Sequence, residues 1–252
     1  DPNLILEATK AAAGGAGVLY LYGNYSGDNM NFDMAAEMAE AEGIEVETVR
    51  VWDDVASAPP EKKENRRGIA GDLFLIKIAG AIADTGADLE EVKRVVSKAR
   101  ENTRSMGVAL SSAVIPSTGE PSFEISEAEM ELGMGLHGEP GVERTEIKSA
   151  QEITEIMADK ILNDLPFTAG DEVAVLVNDL GATTREELLI VYNELDRILA
   201  KQGIDVYDVE MGAYCTSLEM AGFSITLMKL DQELKELYDK PAQSPGYRVV
   251  GS

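Results

Sequence analysis

The chain has 252 residues, of which 44% are hydrophobic and 27% charged, so it is long enough to bury a core as one large or two modest domains. Its 22 basic and 46 acidic residues give a formal net charge of −24. This charge argues against nucleic acid and anionic membrane surfaces as partners, because both are bound mainly by Lys and Arg.

Two residue types that carry much enzyme chemistry occur once each. Cys215 is the single cysteine, which excludes an internal disulfide and a cysteine-based zinc cluster and is typical of a reducing cytoplasm. His137 is the single histidine, so a site built from several imidazoles is excluded within this chain. No apolar run approaches the about 20 residues of a membrane span, and no signal-peptide pattern opens the sequence. We therefore expect a cytoplasmic protein without a membrane contact.

Apolar runs alternate with amphipathic stretches, which predicts an α/β fold. In the first half, strands are predicted at 18–22 and 45–52, and helices at about 30–41, 72–83 and 89–101. The methionines at helical spacing in 30–41 are typical of core packing. The sequence changes character at 53–68, and the Pro-broken segment 58–68 within it is interpreted as a solvated loop, although its basic cluster would also suit an anion or an acidic partner.

The second half repeats this alternation. Strands are predicted at 106–115, 173–177, 204–211 and 223–228, and helices at about 150–162, 184–201 and 232–237. Ser149 and Glu152 form the capping-box pattern that begins the first of these helices. We therefore predict two α/β units with mixed or parallel sheets flanked by helices, residues 1–102 and residues 103–252.

The first segment that does not suit a pure scaffold is Gly-Asn-Tyr-Ser-Gly-Asp-Asn-Met-Asn-Phe at 23–32, predicted as a loop followed by a helix. Ligands of open α/β sheets gather where strands end, and glycine lets the backbone approach them closely. Asp28 lies near the predicted helix N-terminus, where its anion is stabilised. An isolated Asp there is usually a simple N-cap. The concentration of polar side chains around it favours a binding site.

The second such segment is Glu-Leu-Gly-Met-Gly-Leu-His-Gly-Glu-Pro-Gly at 131–141. Four glycines and a proline exclude a regular helix or a central strand, so we predict an ordered loop that presents Met134, Leu136 and His137. A lone histidine is usually a satisfied structural residue. Because Gly138 leaves this ring accessible, His137 is also a candidate base, metal ligand or nucleophile.

Other glycine-rich stretches carry weaker signals. Gly14-Gly15-Ala16-Gly17 precedes its strand, so it is not a dinucleotide-binding fingerprint, and no P-loop pattern is present. The stretch Gly68-Ile69-Ala70-Gly71 would suit either an anion cradle or close helix packing. Cys215 is interpreted as a small buried apolar residue or an incidental thiol.

At these segments the sequence resembles the sugar-binding K subunit of dihydroxyacetone kinases. The resemblance runs in order through essentially the whole chain and is most specific in Asn-Tyr-Ser-Gly-Asp (24–28) and Gly-Leu-His-Gly-Glu-Pro-Gly (135–141). Further matching stretches are Arg-Gly-Ile-Ala-Gly (67–71), Met-Gly-Val-Ala-Leu (106–110) and Glu-Val-Ala-Val-Leu-Val-Asn (172–178). The resemblance implies the K-type α/β fold of that family.

The resemblance also implies a mechanism. A ring nitrogen of His137 adds to the carbonyl of a short ketose and holds it as a covalent hemiaminal, while Asp28 accepts the proton of the terminal hydroxyl that attacks phosphorus. Substrate-binding residues follow from the same motifs: Gly23, Asn24, Tyr25, Ser26, Gly27 and Gly138.

The implied phosphoryl donor is not on this chain. It is ATP, or a tightly held ADP that a phosphotransferase-system protein rephosphorylates, with Mg on a nucleotide-binding L subunit or domain. No cofactor and no metal is expected on this chain itself. The resemblance also implies a homodimer.

Two departures from the family pattern stand out. Family members usually carry an upstream segment with a further site histidine, so the chain is expected to be incomplete or a shortened relative. Many members also have Lys where this chain has Gly23, which we interpret as extra room for a larger ketose such as erythrulose. A non-catalytic ketose sensor is the alternative function. Fatty-acid binding by a related α/β architecture is disfavoured by the polar loop at 23–28.

Overall fold

The computed structural model of the protein describes residues 1–250. Its helices are α1 (Pro2–Ala12), α2 (Ser26–Ala41), α3 (Asp72–Ala83), α4 (Leu89–Glu101), α5 (Ala150–Asp164), α6 (Arg185–Gln202) and α7 (Gln232–Tyr238), with a 3-10 helix at Pro60–Asn65. Its strands are β1 (Val18–Gly23), β2 (Val46–Val51), β3 (Thr103–Ala109), β4 (Glu129–Leu132), β5 (Glu143–Glu146), β6 (Glu172–Asp179), β7 (Asp205–Gly212), β8 (Gly222–Leu230), β9 (Ala242–Gln243) and β10 (Arg248–Val249). The predicted class, α/β with a mixed sheet flanked by helices, is confirmed.

Strands β1 and β2 form a parallel pair in which Gly23 lies opposite Val51. On one face of β1, Leu19 and Leu21 join the apolar cluster shared with α3 and α4. On the other face, the Tyr20 hydroxyl lies 2.6 Å from the Thr9 hydroxyl of α1. Because side chains alternate along a strand, β1 is covered on both faces, and its C-terminal end opens at Gly23.

The larger sheet has the strand order β5-β4-β3-β8-β6-β7. Strands β6 and β7 are parallel, and the remaining neighbours run antiparallel. Alternate residues of β6 show how both faces are buried: Val173, Val175 and Val177 pack toward α5 and α6, whereas Ala174 and Leu176 pack toward α3, α4 and α7. This two-sided burial explains why the sequence at 173–177 is continuously apolar.

Most predicted elements are present, and their differences from prediction have local causes. Helix α2 begins at Ser26, within the segment 23–28 that was predicted to be a loop. Its predicted methionine core is wrong, because Met30 and Met34 are exposed and the buried residues are Ala35 and Ala39. Strand β3 ends at Ala109 rather than at 115, since the chain turns away there and leaves Val114 partly exposed.

Helix α1 and strands β4 and β5 are among the elements that the sequence analysis missed. Helix α1 follows Asp1, which accepts a hydrogen bond from the Asn3 amide, and begins at Pro2. Strands β4 and β5 have four residues each, too few for alternation to be recognised. These two strands frame the glycine-rich loop that carries His137, so the missed elements position the candidate site.

The segment 58–68 is the predicted solvated loop only in part, because residues 59–65 lie at the surface whereas the end of the segment is packed into the fold. Arg66 is fully buried and binds Asp164 at the end of α5 through two hydrogen bonds of 2.8 and 2.5 Å. Arg104 of β3 also pairs with Asp164. A buried guanidinium needs such a partner, and the partner comes from a distant part of the chain that the local sequence does not indicate.

The proposed division after residue 102 stays a prediction. One apolar cluster combines Val49 and Val51 of β2 with Ala174 and Leu176 of β6, so residues from both sides of the division share a core. No helix within residues 1–250 is both long and apolar enough to cross a membrane.

Candidate functional site

The turn between β1 and α2 is fixed by Asn24. Its side-chain amide donates to the carbonyls of Glu64 and Arg66 at 2.9 and 2.8 Å, and its oxygen accepts from Asn29 at 2.8 Å. Its backbone amide donates to Val51 at 2.9 Å. Asn24 therefore ties this turn to the 3-10 helix and β2, while its predicted contact with a substrate stays a prediction.

The carboxylate of Asp28 lies in the first turn of α2 and is exposed to solvent, as are Ser26 and Gly27. The N-cap residue is Tyr25, without a side-chain cap, so Asp28 is not the simple N-cap of the alternative interpretation. The free amides of the first turn and the helix dipole stabilise an anion at this position. The Asp28 side chain is thus open to an incoming group.

The loop between β4 and β5 is ordered by its own backbone. Gly133 and Gly138 have φ angles of +75° and +83°, a conformation that glycine adopts without strain. The amide of Gly135 donates to the carbonyl of Glu139 at 3.0 Å, which closes the loop around His137. Met134 was predicted to be accessible on this loop. It is instead buried against Leu180 and Met220, and this packing fixes the start of the loop.

His137 forms a pair with Glu139 that the sequence analysis did not single out. The Nδ1 atom lies 3.1 Å from Glu139 Oε1, and the His137 amide donates to Oε2 at 3.0 Å. A carboxylate only accepts hydrogen bonds, so Nδ1 carries the proton and a neutral ring keeps its lone pair on Nε2. The spacing His-Gly-Glu could have predicted this pair, because a carboxylate two residues after a histidine reaches its ring when the chain forms a closed turn.

The same contact sets the charge of the pair. The hydrogen bond with Glu139 raises the pKa of His137 above its usual 6.5; burial opposes this rise, and the negative charges of Glu139 and Asp28 add to it. Burial raises the pKa of Glu139, but hydrogen bonds from the His137 ring and backbone outweigh it and bring that pKa to about 2. Asp28 is therefore near enough to act electrostatically on His137.

Tyr25 brings the two predicted segments into contact. Its ring is T-shaped against the imidazole of His137, with centroids 4.8 Å apart and planes at 75°. Its hydroxyl is buried and finds no hydrogen-bond partner among residues 1–250. Burial, followed by the charge of Glu139, raises the pKa of Tyr25, so the phenol stays protonated. Gly138, which follows His137 in the loop, lies against the Phe123 ring.

The stretch Gly68–Gly71 is explained by packing rather than by an anion. The amides of Ile69 and Gly71 both donate to the buried carboxylate of Asp53 at 2.8 Å, so these two amides are not free to bind an anion. A Cβ at Gly68 would lie 2.5 Å from the Cα of Gly23. Because neither Gly68 nor Gly23 has a side chain, this stretch lies directly against the end of β1, next to the candidate site.

Residues 1–250 contain no group of three or more His, Cys, Asp or Glu side chains arranged to hold a metal ion. Cys215 is half-buried, and burial together with the charges of Asp72 and Asp53 raises the pKa of its thiol to about 12. A thiol with that pKa is a poor nucleophile near neutral pH. His137 and Asp28 remain the candidate reactive groups of the site.

The comparisons with known proteins identify the family. A family model described as the Dak1 domain matches residues 1–246, and the chain belongs to that family. It is 48% identical to the dihydroxyacetone-binding subunit of PTS-dependent dihydroxyacetone kinase 2 from Listeria innocua, over 99% of this chain and 75% of that protein. It is 42% identical to L-erythrulose 1-kinase from Mycolicibacterium smegmatis, over 97% of this chain but 43% of that protein.

Solved structures agree on the fold. The dihydroxyacetone kinase of C. freundii has a TM-score of 0.87 and 36% identity, with 95% of this chain and 43% of that chain covered. That kinase has also been solved with AMP-PNP and Mg2+. A dihydroxyacetone kinase operon co-activator has a TM-score of 0.89 and 29% identity, with 96% of this chain and 75% of that chain covered. The named kinases support a phosphotransferase with an alcohol acceptor as the activity class.

Proposed function

We propose that this chain binds a short ketose covalently through His137 and presents the ketose's terminal hydroxyl for phosphorylation. The observation that carries this proposal is the His137–Glu139 pair: Glu139 holds the proton on Nδ1 at 3.1 Å, which directs the Nε2 lone pair outward from an exposed ring. The adjacent Tyr25 ring limits rotation of the imidazole. An oriented, neutral imidazole is a competent nucleophile toward a carbonyl.

The proposed capture step is a simple addition. The Nε2 lone pair forms a bond to the carbonyl carbon, the C=O π electrons move onto oxygen, and that oxygen gains a proton. The ring loses its Nδ1 proton, so one proton is transferred overall and no atom leaves. The product is a neutral hemiaminal with the mass of protein plus one intact ketose, because no water is lost. A polyol such as glycerol has no carbonyl and cannot form it.

Asp28 is proposed as the general base of the transfer step. When the terminal hydroxyl attacks phosphorus, its proton passes to the Asp28 carboxylate, which lies in the first turn of α2. General-base assistance of this kind contributes about 10²–10⁴-fold to a rate. The phosphoryl donor, ATP or rephosphorylated ADP with Mg, is proposed to lie on a nucleotide-bearing L-type partner. The chain itself is proposed to act as a homodimer.

Gly23 is proposed to widen the substrate pocket. The proposal rests on the absence of the Lys side chain that many family members carry at this position, since an added Cβ would already lie 3.3 Å from the Gly68 carbonyl and the Tyr25 ring. The likeness to L-erythrulose 1-kinase supports a longer ketose such as erythrulose. A panel of dihydroxyacetone and both erythrulose enantiomers tests this proposal, and a strict preference for dihydroxyacetone would contradict it.

Native mass spectrometry of the protein with dihydroxyacetone tests the capture step. We expect a wild-type adduct of one intact ketose, no adduct with His137→Ala, and none when glycerol replaces the ketose. Measurement of His137→Ala stability by urea denaturation shows that the variant is folded. An adduct that persists in folded His137→Ala would overturn the proposal, as would the absence of an adduct in wild type.

The second candidate function is a ketose sensor without phosphoryl transfer. It is favoured by the likeness to the operon co-activator, which extends over 96% of this chain. Both functions require His137, but only the kinase requires Asp28. Phosphorylation of captured ketose in the presence of the nucleotide-bearing partner supports the kinase. Capture without phosphorylation supports the sensor.

Fatty-acid binding is not favoured by the site. The apolar cavity behind the His137 loop, lined in part by Met134, Leu136 and Leu180, has a volume of about 10 Å³. A cavity of this size holds about one water molecule, and an acyl chain does not fit.

A further inference from the structure

Arg67 lies between two parts of the chain that flank the candidate site. Its side chain is 15% exposed and faces Asp54, whose side chain is 0% exposed. Arg67 follows the 3-10 helix, and its backbone amide donates to the Ser57 hydroxyl at 3.0 Å, which fixes where the side chain starts. The guanidinium is thus held on one side by the buried carboxylate of Asp54.

The other side of the guanidinium holds the loop that carries His137. Nη2 donates to the carbonyl of Gly133 at 2.8 Å, before the histidine. Nη1 donates to the carbonyls of Pro140 at 3.3 Å and Glu139 at 3.5 Å, after the histidine. A Cβ at Gly135 would lie 2.7 Å from Nη1, so the guanidinium fills the inside of the loop.

We propose that Arg67 is a positioning residue of the ketose site, which joins both ends of the His137 loop to Asp54 so that Glu139 stays against the imidazole. The planar guanidinium has five donors in a fixed fork, and these contacts use three separate nitrogens. An ammonium group would keep the charge opposite Asp54 but cannot span both ends of the loop. The inference rests on the proposed function of His137.

The single histidine gives a direct readout that does not depend on ketose. Its imidazole C–H signal in ¹H NMR titrates alone, so the pKa of His137 is measured in each folded variant. We expect Arg67→Lys to lower that pKa toward 6.5, because Glu139 spends less time against the ring. Arg197→Lys, a change at an exposed i,i+3 pair on α6, should leave it unchanged. A loss of stability alone would not shift the titration of the folded protein.

Ketose kinetics provide the second readout. We expect Arg67→Lys to raise KM for the ketose about ten- to a hundredfold with kcat nearly unchanged, because misplacement affects capture and not Asp28. If Arg67→Lys does not fold, Asp54→Asn removes the negative charge that binds Arg67 without a change in side-chain size. This variant should also lower the pKa of His137 and raise the KM for the ketose. An unchanged His137 titration and an unchanged KM would overturn the proposal. If wild type captures no ketose, the proposed function fails, while the titration still tests the role of Arg67.

Discussion

The rings of Tyr25 and His137 form a T-shaped contact with a centroid distance of 4.8 Å, which joins the start of α2 to the loop between β4 and β5. Neither segment contains both reactive groups. The contact places the general base candidate Asp28 and the nucleophile candidate His137 in one site. The hydrogen bond with Glu139 and burial have the largest effects on the pKa of His137, and the negative charge of Asp28 also raises it.

Asp28→Asn is expected to separate capture from transfer. The amide cannot accept the hydroxyl proton, so phosphoryl transfer should fall by about 10²-fold or more. The ketose adduct on His137 should persist, because Asp28 takes no part in the addition. Glu37→Gln, an exposed change on the same helix, serves as the matched control. Equal loss of adduct and transfer in Asp28→Asn would contradict the division of roles.

Glu139→Gln is expected to change the pH dependence of capture. Capture needs the neutral imidazole, so in wild type it should increase as pH rises through the raised pKa of His137. The variant loses the carboxylate charge, which lowers that pKa and moves the onset of capture to lower pH. Rates of adduct formation between pH 5 and 9, followed by mass spectrometry, check this shift. An onset at the same pH in both proteins would contradict it.

The same pair should link stability to pH. The folded-state pKa of His137 is above its unfolded value of 6.5, so its stabilising contribution is complete below 6.5 and is lost as pH rises through the folded pKa. The pKa of Glu139 is about 2, below its usual 4.5, so its contribution is present above 4.5 and is lost as pH falls toward 2. Urea midpoints of wild type and His137→Ala should therefore differ more at pH 6 than at pH 9.

Asp164→Ala is expected to be among the most destabilising changes to a single charged residue. It would leave the buried guanidiniums of Arg66 and Arg104 without their shared carboxylate, and removal of one partner from a buried ion pair costs about 3–5 kcal/mol. Asp159→Ala, on an exposed turn of the same helix, should change the free energy of unfolding by less than about 0.5 kcal/mol. Urea denaturation at constant m-value measures both. Similar effects for the two variants would contradict the structural role of Asp164.

Two glycine substitutions should change stability in opposite directions. In Gly68→Ala the new Cβ would lie 2.5 Å from the Cα of Gly23 and 2.7 Å from the Val51 carbonyl, so the backbone must move, at a cost of about 1–3 kcal/mol. In Gly80→Ala no described atom lies within 4 Å outside the helix, and alanine should stabilise α3 by about 0.5–1 kcal/mol. Thermal unfolding of both variants tests the pair.

Local sequence patterns were sufficient for the elements with strong periodicity and clear caps. The capping boxes Ser149–Glu152 and Thr184–Glu187 are present, and they begin helices α5 and α6. The run at 173–177 became a strand buried on both faces. These elements were predictable because each depends on neighbours close in sequence, whose hydrogen bonds and alternation are set before any long-range contact forms.

The sequence by itself also determined which residues are chemically special: one histidine in a glycine-rich loop and one aspartate in a polar turn. The tertiary structure decided what surrounds them. Tyr25 against His137, and Arg67 between Asp54 and the loop, are contacts between segments distant in sequence. Arg66 was predicted to be solvated, yet it is fully buried, because its guanidinium is paired with the carboxylate of Asp164, which is distant in sequence. That pairing depends on the packed fold and on no pattern within 53–68.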